Sequence, residues 1–142
     1  MTALSVTAAN VITTATTLNN SYLSGAAITA GQAVYLDTAT STWKLADADA
    51  TAPLAVVGGV AMNSAPAAGQ PISVLTSGNY NPGATVTKGV FYCAGTTAGS
   101  IVPYSDLAST NYLSVFAIAT SSSNLLLLNG APLSTINAVV MP

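Results

Sequence analysis

Residues 28–75 read ITAGQAVYLDTATSTWKLADADATAPLAVVGGVAMNSAPAAGQPISVL, and the fold turns on how they are read. In QAVYLD, Val34 and Leu36 fall on one face of an extended chain, with Ala33 and Tyr35 on the other. TATST turns the chain, and TWKLA alternates again, with Trp43 and Leu45 on one side and Lys44 on the other. LAVVGGVAM is a continuous apolar run that contains Gly58 and Gly59. Paired glycines inside a strand mark a bulge, a bend or the close approach of another backbone. PISVLTSG, at 71–78, is a further strand closed by Gly78. No helical periodicity of useful length runs through the stretch. LADADATAPLA has room for one helical turn at 47–50, with Pro53 stopping it.

The pattern occurs twice. ITAG at 28–31 matches VTKG at 86–89, an offset of 58 (86 − 28). The same offset sets Val57 on Val115, Val60 and Ala61 on Ile118 and Ala119, and Ser64 on Ser122. After a short gap, ISVLTSG at 72–78 matches LLLLNG at 125–130. Two similar β units usually bury their apolar faces against each other as halves of a sandwich or barrel. The fold expected is therefore all-β: a small β-barrel or sandwich built from two similar units, 28–78 and 86–130, within one domain spanning 28–142. Residues 1–27 are expected to form an extended N-terminal arm. They hold β-branched residues in poor alternation and end in Asn19, Asn20, Ser21 and Gly25. Such a segment buries little alone, so it is expected to lie on the domain or on a neighbour, while the domain from Ile28 folds without it. An extended arm adds main-chain hydrogen bonds along a sheet edge. Val6, Val11, Ile12, Leu18 and Tyr22 are its candidate partner contacts.

Charge narrows the function. Only 4% of the 142 residues are charged, against about 25% in an ordinary soluble domain. The acids are Asp37, Asp47, Asp49 and Asp106, the bases are Lys44 and Lys88, and there is no His, Arg or Glu. A net charge of −2 provides no footprint for nucleic acid, which is held by Lys and Arg on phosphates, and nothing for an anionic membrane surface. Mean hydropathy is positive, yet no run approaches the roughly 18 apolar residues that span a bilayer. LLLL at 125–128 is strand-sized, and the first residues lack the basic and apolar regions of a signal peptide. Cys93 is the single cysteine, so no intrachain disulfide forms.

Catalysis has few groups to draw on. General acid–base work needs a group titrating near neutrality, and no His supplies it. Asp47 and Asp49 are two residues apart, but the loop lacks the glycine and the later acid of a calcium-binding loop, and they read as solvated turn acids. Serines and threonines abound without a base to activate them. Cys93, in VFYCAG, reads as a small buried hydrophobe. No enzyme, cofactor or metal is expected. The aromatics are scattered without interleaved basic residues, which suits core or subunit packing rather than a stacking platform for single strands.

The opening stretch resembles the small decoration, or cement, proteins of tailed-bacteriophage capsids. Their pattern is a Gly-led strand, an Ala-Asp-Ala loop, a Val-x-Gly-Val-Ala strand, and then Ala-Gly-x-x-Val-x-Val-x-x-x-Gly. The matching positions are Gly31, Val34, Leu45, Ala46, Val57, Gly59, Val60, Ala61, Ala68, Gly69, Ile72, Val74 and Gly78. The resemblance covers 28–78 directly and 86–130 through the repeat, and does not extend to 1–27. It implies a β-barrel-like protein on the outer capsid surface of a virion. Its partner would be the major capsid protein, its state a homo-oligomer, with a trimer favoured, and its function structural: clamping neighbouring capsid subunits. The alternative is a head-fibre or adhesin-like module that binds host-surface glycan.

Overall fold

The computed structural model describes residues 3–128 and 139–140. Its strands in chain order are β1 (Val11–Thr13), β2 (Leu18–Asn19), β3 (Leu23–Ser24), β4 (Ala33–Asp37), β5 (Thr42–Leu45), β6 (Gly59–Ala61), β7 (Val74–Leu75), β8 (Gly78–Pro82), β9 (Phe91–Ala94), β10 (Ile101–Pro103), β11 (Tyr112–Leu113), β12 (Val115–Ala119), β13 (Leu125–Leu127) and β14 (Val139–Val140). One helical turn, Ala52–Ala55, lies between β5 and β6. Pro53 does not stop this turn. It sits in the turn's first positions, where a missing N–H costs nothing and the fixed φ suits the helix. Residues 48–50 form an ordinary turn just before it.

The fold is all-β, with two six-stranded sheets. The first sheet has the order β2-β7-β6-β4-β5-β3 and the second β1-β8-β13-β12-β9-β10, while β11 and β14 form a separate pair. Each large sheet has two ends, so neither closes into a barrel. The architecture is a sandwich. Its main core lies between the sheets and joins Ala33, Val60 and Leu75 of the first to Tyr80, Tyr92, Phe116 and Leu125 of the second.

The offset of 58 recurs in the hydrogen bonds. Gly31 N–H donates to the Ala61 carbonyl and Gly89 N–H to that of Ala119, both at 2.8 Å. Gln32 to Thr29 and Val90 to Thr87 are both 3.1 Å. The register Val34↔Leu45 and Leu36↔Trp43 between β4 and β5 becomes Tyr92↔Pro103 and Ala94↔Ile101 between β9 and β10. Val60↔Leu75 and Ala61↔Val74 become Ile118↔Leu126 and Ala119↔Leu125. The run β2-β7-β6-β4-β5 therefore has the topology of β8-β13-β12-β9-β10. Residues 129 and 130, which end the second repeat in the sequence, lie outside the described residues.

The units do not bury equivalent faces against each other. Ala33, Val60 and Leu75 face the second sheet, but their equivalents Phe91, Ile118 and Leu126 lie on that sheet's outer face, where Phe91 is 42% exposed. Conversely, Tyr92, Ala119 and Leu125 line the central core, while their equivalents Val34, Ala61 and Val74 point away from it, under Tyr22, Ile28, Ala65 and Ile72. The sheets are stacked head to tail. Ala33 and Val60 give a thin surface that Tyr80, Tyr92 and Phe116 fill at interior density.

Residues 3–27 are built into the sandwich. β1 extends the second sheet along β8, β2 borders the first along β7, and β3 runs parallel to β5 at the first sheet's other edge. Leu4 N–H donates to Ile101 and Thr7 N–H to Gly83, both at 2.9 Å. Leu4, Val11 and Ala15 pack against the central core. β2 also stands where β8 stands in the second unit, so the structural repeat begins before Ile28.

Candidate functional site

The five arm residues divide. Val6 and Val11 close over Gly31, their methyl carbons 2.6 and 2.9 Å from where a Cβ would sit on that glycine. Both are half-buried. Tyr22 meets Trp43 edge to face, with ring centroids 6.4 Å apart and planes at 78°. These three side chains anchor the arm to its own domain. Ile12 alternates with Val11 on β1 and points outward, 60% exposed, and Leu18 on β2 is 38% exposed. These two remain available to a partner, on edge strands joined by four residues. Edge strands present unpaired backbone groups to whatever lies beside them.

Three further exposed apolar side chains escaped the sequence reading: Leu23 on β3, Phe91 on β9 and Tyr104 after β10. For Phe91 the signal was present. It occupies the place of Ala33 in the repeat, and a phenylalanine where the first unit has an alanine marks a different environment.

Asp37, Lys44 and Asp47 are tied up in structure. Lys44 Nζ donates to Asp37 Oδ2 at 2.7 Å across the β4–β5 hairpin. That bond holds the Asp37 carboxyl below its usual range and the Lys44 ammonium above its own. Tyr35, opposite Lys44 in the ladder, has its phenol pushed up by burial. Asp47 Oδ1 accepts from the Asp49 N–H at 2.9 Å and so closes its own turn. Among the described residues, no group of three or more His, Cys, Asp or Glu could hold a metal. Cys93 is fully buried, its thiol 3.6 Å from the Val102 carbonyl, and burial, with the charge of Asp106 adding to it, pushes its pKa up to about 12. A thiol so placed is not a nucleophile at neutral pH.

A groove of about 600 Å³ runs between the start of the arm and the turn before β9. Its walls include Leu4, Ser5, Thr85, Tyr92 and Pro103 and carry no charged side chain. The Tyr92 hydroxyl there accepts the Thr87 N–H at 3.0 Å. The described surface thus offers apolar side chains and backbone rather than reactive groups. Comparison with protein-family models, curated proteins and solved structures finds no match for this chain.

Proposed function

We propose that this chain is a structural decoration, or cement, protein: it binds the outer surface of a phage head as a homo-oligomer and stabilises the major capsid lattice. The observation that carries the reading is the kind of position its resemblance motif occupies. Gly31 makes a left-handed turn, Val34, Val57, Val60, Ala61, Ile72 and Val74 are buried, and Gly59 lies where a Cβ would come within 2.5 Å of the Leu75 carbonyl oxygen. The motif specifies a scaffold, as a structural family would require. Ile12 and Leu18 on the adjoining edge strands supply the contact with the capsid, through apolar burial and strand-edge hydrogen bonds.

The test adds purified protein to undecorated heads and, in parallel, to host cells, measuring occupancy by co-sedimentation and head stability by thermal release of the genome. Saturable binding that raises the release temperature supports the proposal, and Ile12→Asp should lower occupancy. Binding to cells but not to heads would overturn it in favour of the glycan-binding alternative.

A further inference from the structure

We propose that residues 3–19 form a strap that opens as one unit about the bend at Asn20 and Ser21, while the sandwich stays closed, and so gates the outer edges of β7 and β8. The chain changes character at this bend. Before it, no residue from 3 to 19 is fully buried. β1 and β2 pair over only three and two residues. The other main-chain bonds of the strap reach three separate places. Leu4 N–H donates to Ile101 and Thr7 N–H to Gly83, both at 2.9 Å, and the Thr17 carbonyl accepts from Thr76 N–H at 3.0 Å. Asn20 and Ser21 are exposed, and the Asn19 side chain closes the bend by accepting the Ser21 N–H at 2.9 Å.

Beyond the bend the chain is clasped. Tyr22 meets Trp43 edge to face, and Leu23 bridges both Thr42 and Pro71. Ser24 is 1% exposed and bonds four times to the turn at 67–70. Its N–H donates to the Gln70 carbonyl at 2.9 Å and its carbonyl accepts from Gly69 N–H at 2.8 Å. Its Oγ donates to the Ala67 carbonyl at 2.8 Å and accepts from Gln70 N–H at 3.1 Å. Gly25 N–H adds a bond to the Trp43 carbonyl at 2.7 Å. Segments open locally in the order of what their opening breaks. The strap gives up two short ladders and the half-buried contacts of Leu4, Val11 and Ala15 with the core, whereas the clasp would give up a buried polar network.

The strap moves as a unit because its parts hold one another. Val6 and Val11, on either side of the 3-10 turn Ala8–Asn10, close over the same Gly31. Thr13 Oγ1 donates to the Asn79 carbonyl at 2.7 Å and accepts from Ala15 N–H at 3.0 Å, which ties β1 to the connection that leads into β2. When the strap leaves, β7 and β8 lose their outer partners. Their main-chain groups are then of the kind that take an added strand.

The experiment is native-state amide hydrogen exchange on the full chain, in urea concentrations below the unfolding transition. Leu4, Thr7 and Thr76 should share one protection factor and one small urea dependence, since they report one opening that exposes little surface. That protection should lie at least about tenfold below that of Ser24, Gly69 and Ala119. Thr76 is the decisive amide, because it belongs to the sandwich and only the strap covers it with a printed main-chain bond at Thr17. Cys93→Ala alters a cluster that contains no strap residue, so it weakens the sandwich equally with the strap closed or open. It should lower the protection of Ala119 about fivefold and leave that of Leu4, Thr7 and Thr76 unchanged. Unrelated protection factors at those three amides would mean piecemeal fraying and overturn the proposal. So would protection equal to that of Ala119, a fall at all sites alike in Cys93→Ala, or Ser24 exchanging with the strap, which would place the hinge elsewhere. The strap does not depend on the decoration reading: failure to bind heads leaves this assay intact.

Discussion

Gly31 and Gly89 occupy equivalent places in the two units, with φ of +94° and +83°, and their alanine variants make a controlled comparison. A side chain at either position adopts the left-handed region at a cost of roughly 1–2 kcal/mol. The surroundings differ. A Cβ on Gly89 meets nothing within 4 Å, whereas on Gly31 it would lie 2.6 Å from Val6 Cγ1 and 2.9 Å from Val11 Cγ2. Both contacts are too short, and overpacking of this kind costs about 1–3 kcal/mol more. We therefore expect Gly89→Ala to cost about 1–2 kcal/mol and Gly31→Ala about 2–5. Equilibrium urea unfolding measures both, provided the slope with denaturant is unchanged. The excess at Gly31 reports whether the arm sits on its own domain in solution. Val6→Ala should remove part of it, and the coupling in a double-mutant cycle isolates that contact. Equal costs at the two glycines would refute the seating of Val6 and Val11 over Gly31, and with it their assignment as internal anchors.

Other outcomes follow from the same geometry. Tyr80 is buried with its hydroxyl unpartnered among the described residues, so Tyr80→Phe should raise stability in urea by about 1–3 kcal/mol; a loss instead would show that the hydroxyl has a partner. Burial raises the Tyr80 and Cys93 pKa values, the latter to about 12 from 9.0, so both stay protonated in the fold after they ionise in the unfolded chain. The stability each contributes is complete below its unfolded pKa, about 9 for the thiol and about 10 for the phenol, and falls above it by up to about 1.4 kcal/mol per pH unit per group. Cys93→Ala should flatten the fall between about pH 9 and 12 in pH-dependent urea titrations, and an unaltered slope would show that the thiol ionises equally in both states. A chain beginning at Ala26 loses β1, β2 and β3 together with Leu4, Val11 and Tyr22, and we expect a non-cooperative or strongly lowered thermal transition; undiminished stability would mean that the sandwich closes without the arm. Attachment to heads through apolar and backbone groups should vary little with salt, since screening acts on exposed charges, and release by moderate salt alone would contradict it.

Much of the sandwich could be read from the sequence because strand alternation is a local signal. QAVYLD and TWKLA became β4 and β5, and the glycine pair at the start of β6 marked a close backbone approach, as Gly59 against Leu75 shows. The offset of 58 carried further than the motif that revealed it, down to matching hydrogen bonds. The orientation of the sheets was hidden. Alternation says which residues share a face but not which face meets which, so the head-to-tail stacking left no local mark. The seat of the arm was hidden for a related reason. Val6 and Val11 lie in a segment without alternation, and what they cover, a turn 20 or more residues away, leaves no mark in their own neighbourhood. Gly31 and Gly89 even share the same motif, although only Gly31 has side chains above it. Pro53 was read as a stop because a proline at the start of a helix and one that ends it look alike until the turn is placed.

The head-to-tail stack explains where the unfinished surfaces of this molecule lie. Two units facing each other symmetrically would have hidden both of their apolar faces and left two equivalent exteriors. Stacked in the same direction, they hide one face of each kind and leave one of each kind outside. The first sheet's outer face is finished by the chain's own loop and Tyr22. The second sheet's outer face is finished over Cys93 and Val102, while Phe91 is exposed and Ile118 and Leu126 are half-buried beside it. A charge on that row would oppose any packing against it, because a carboxylate or ammonium buried without a partner costs several kcal/mol. Neutrality at these places is a requirement for sheet packing, whatever the rest of the surface does. A chain with six charged residues in all, its Asp37 and Lys44 paired with each other and the Asp47 carboxylate closing its own turn, keeps ionic groups off this row as it keeps them off Ile12 and Leu18. The scarcity of charge and the one-directional stacking thus point to the same property: a described surface that offers apolar side chains and strand edges rather than ionic groups.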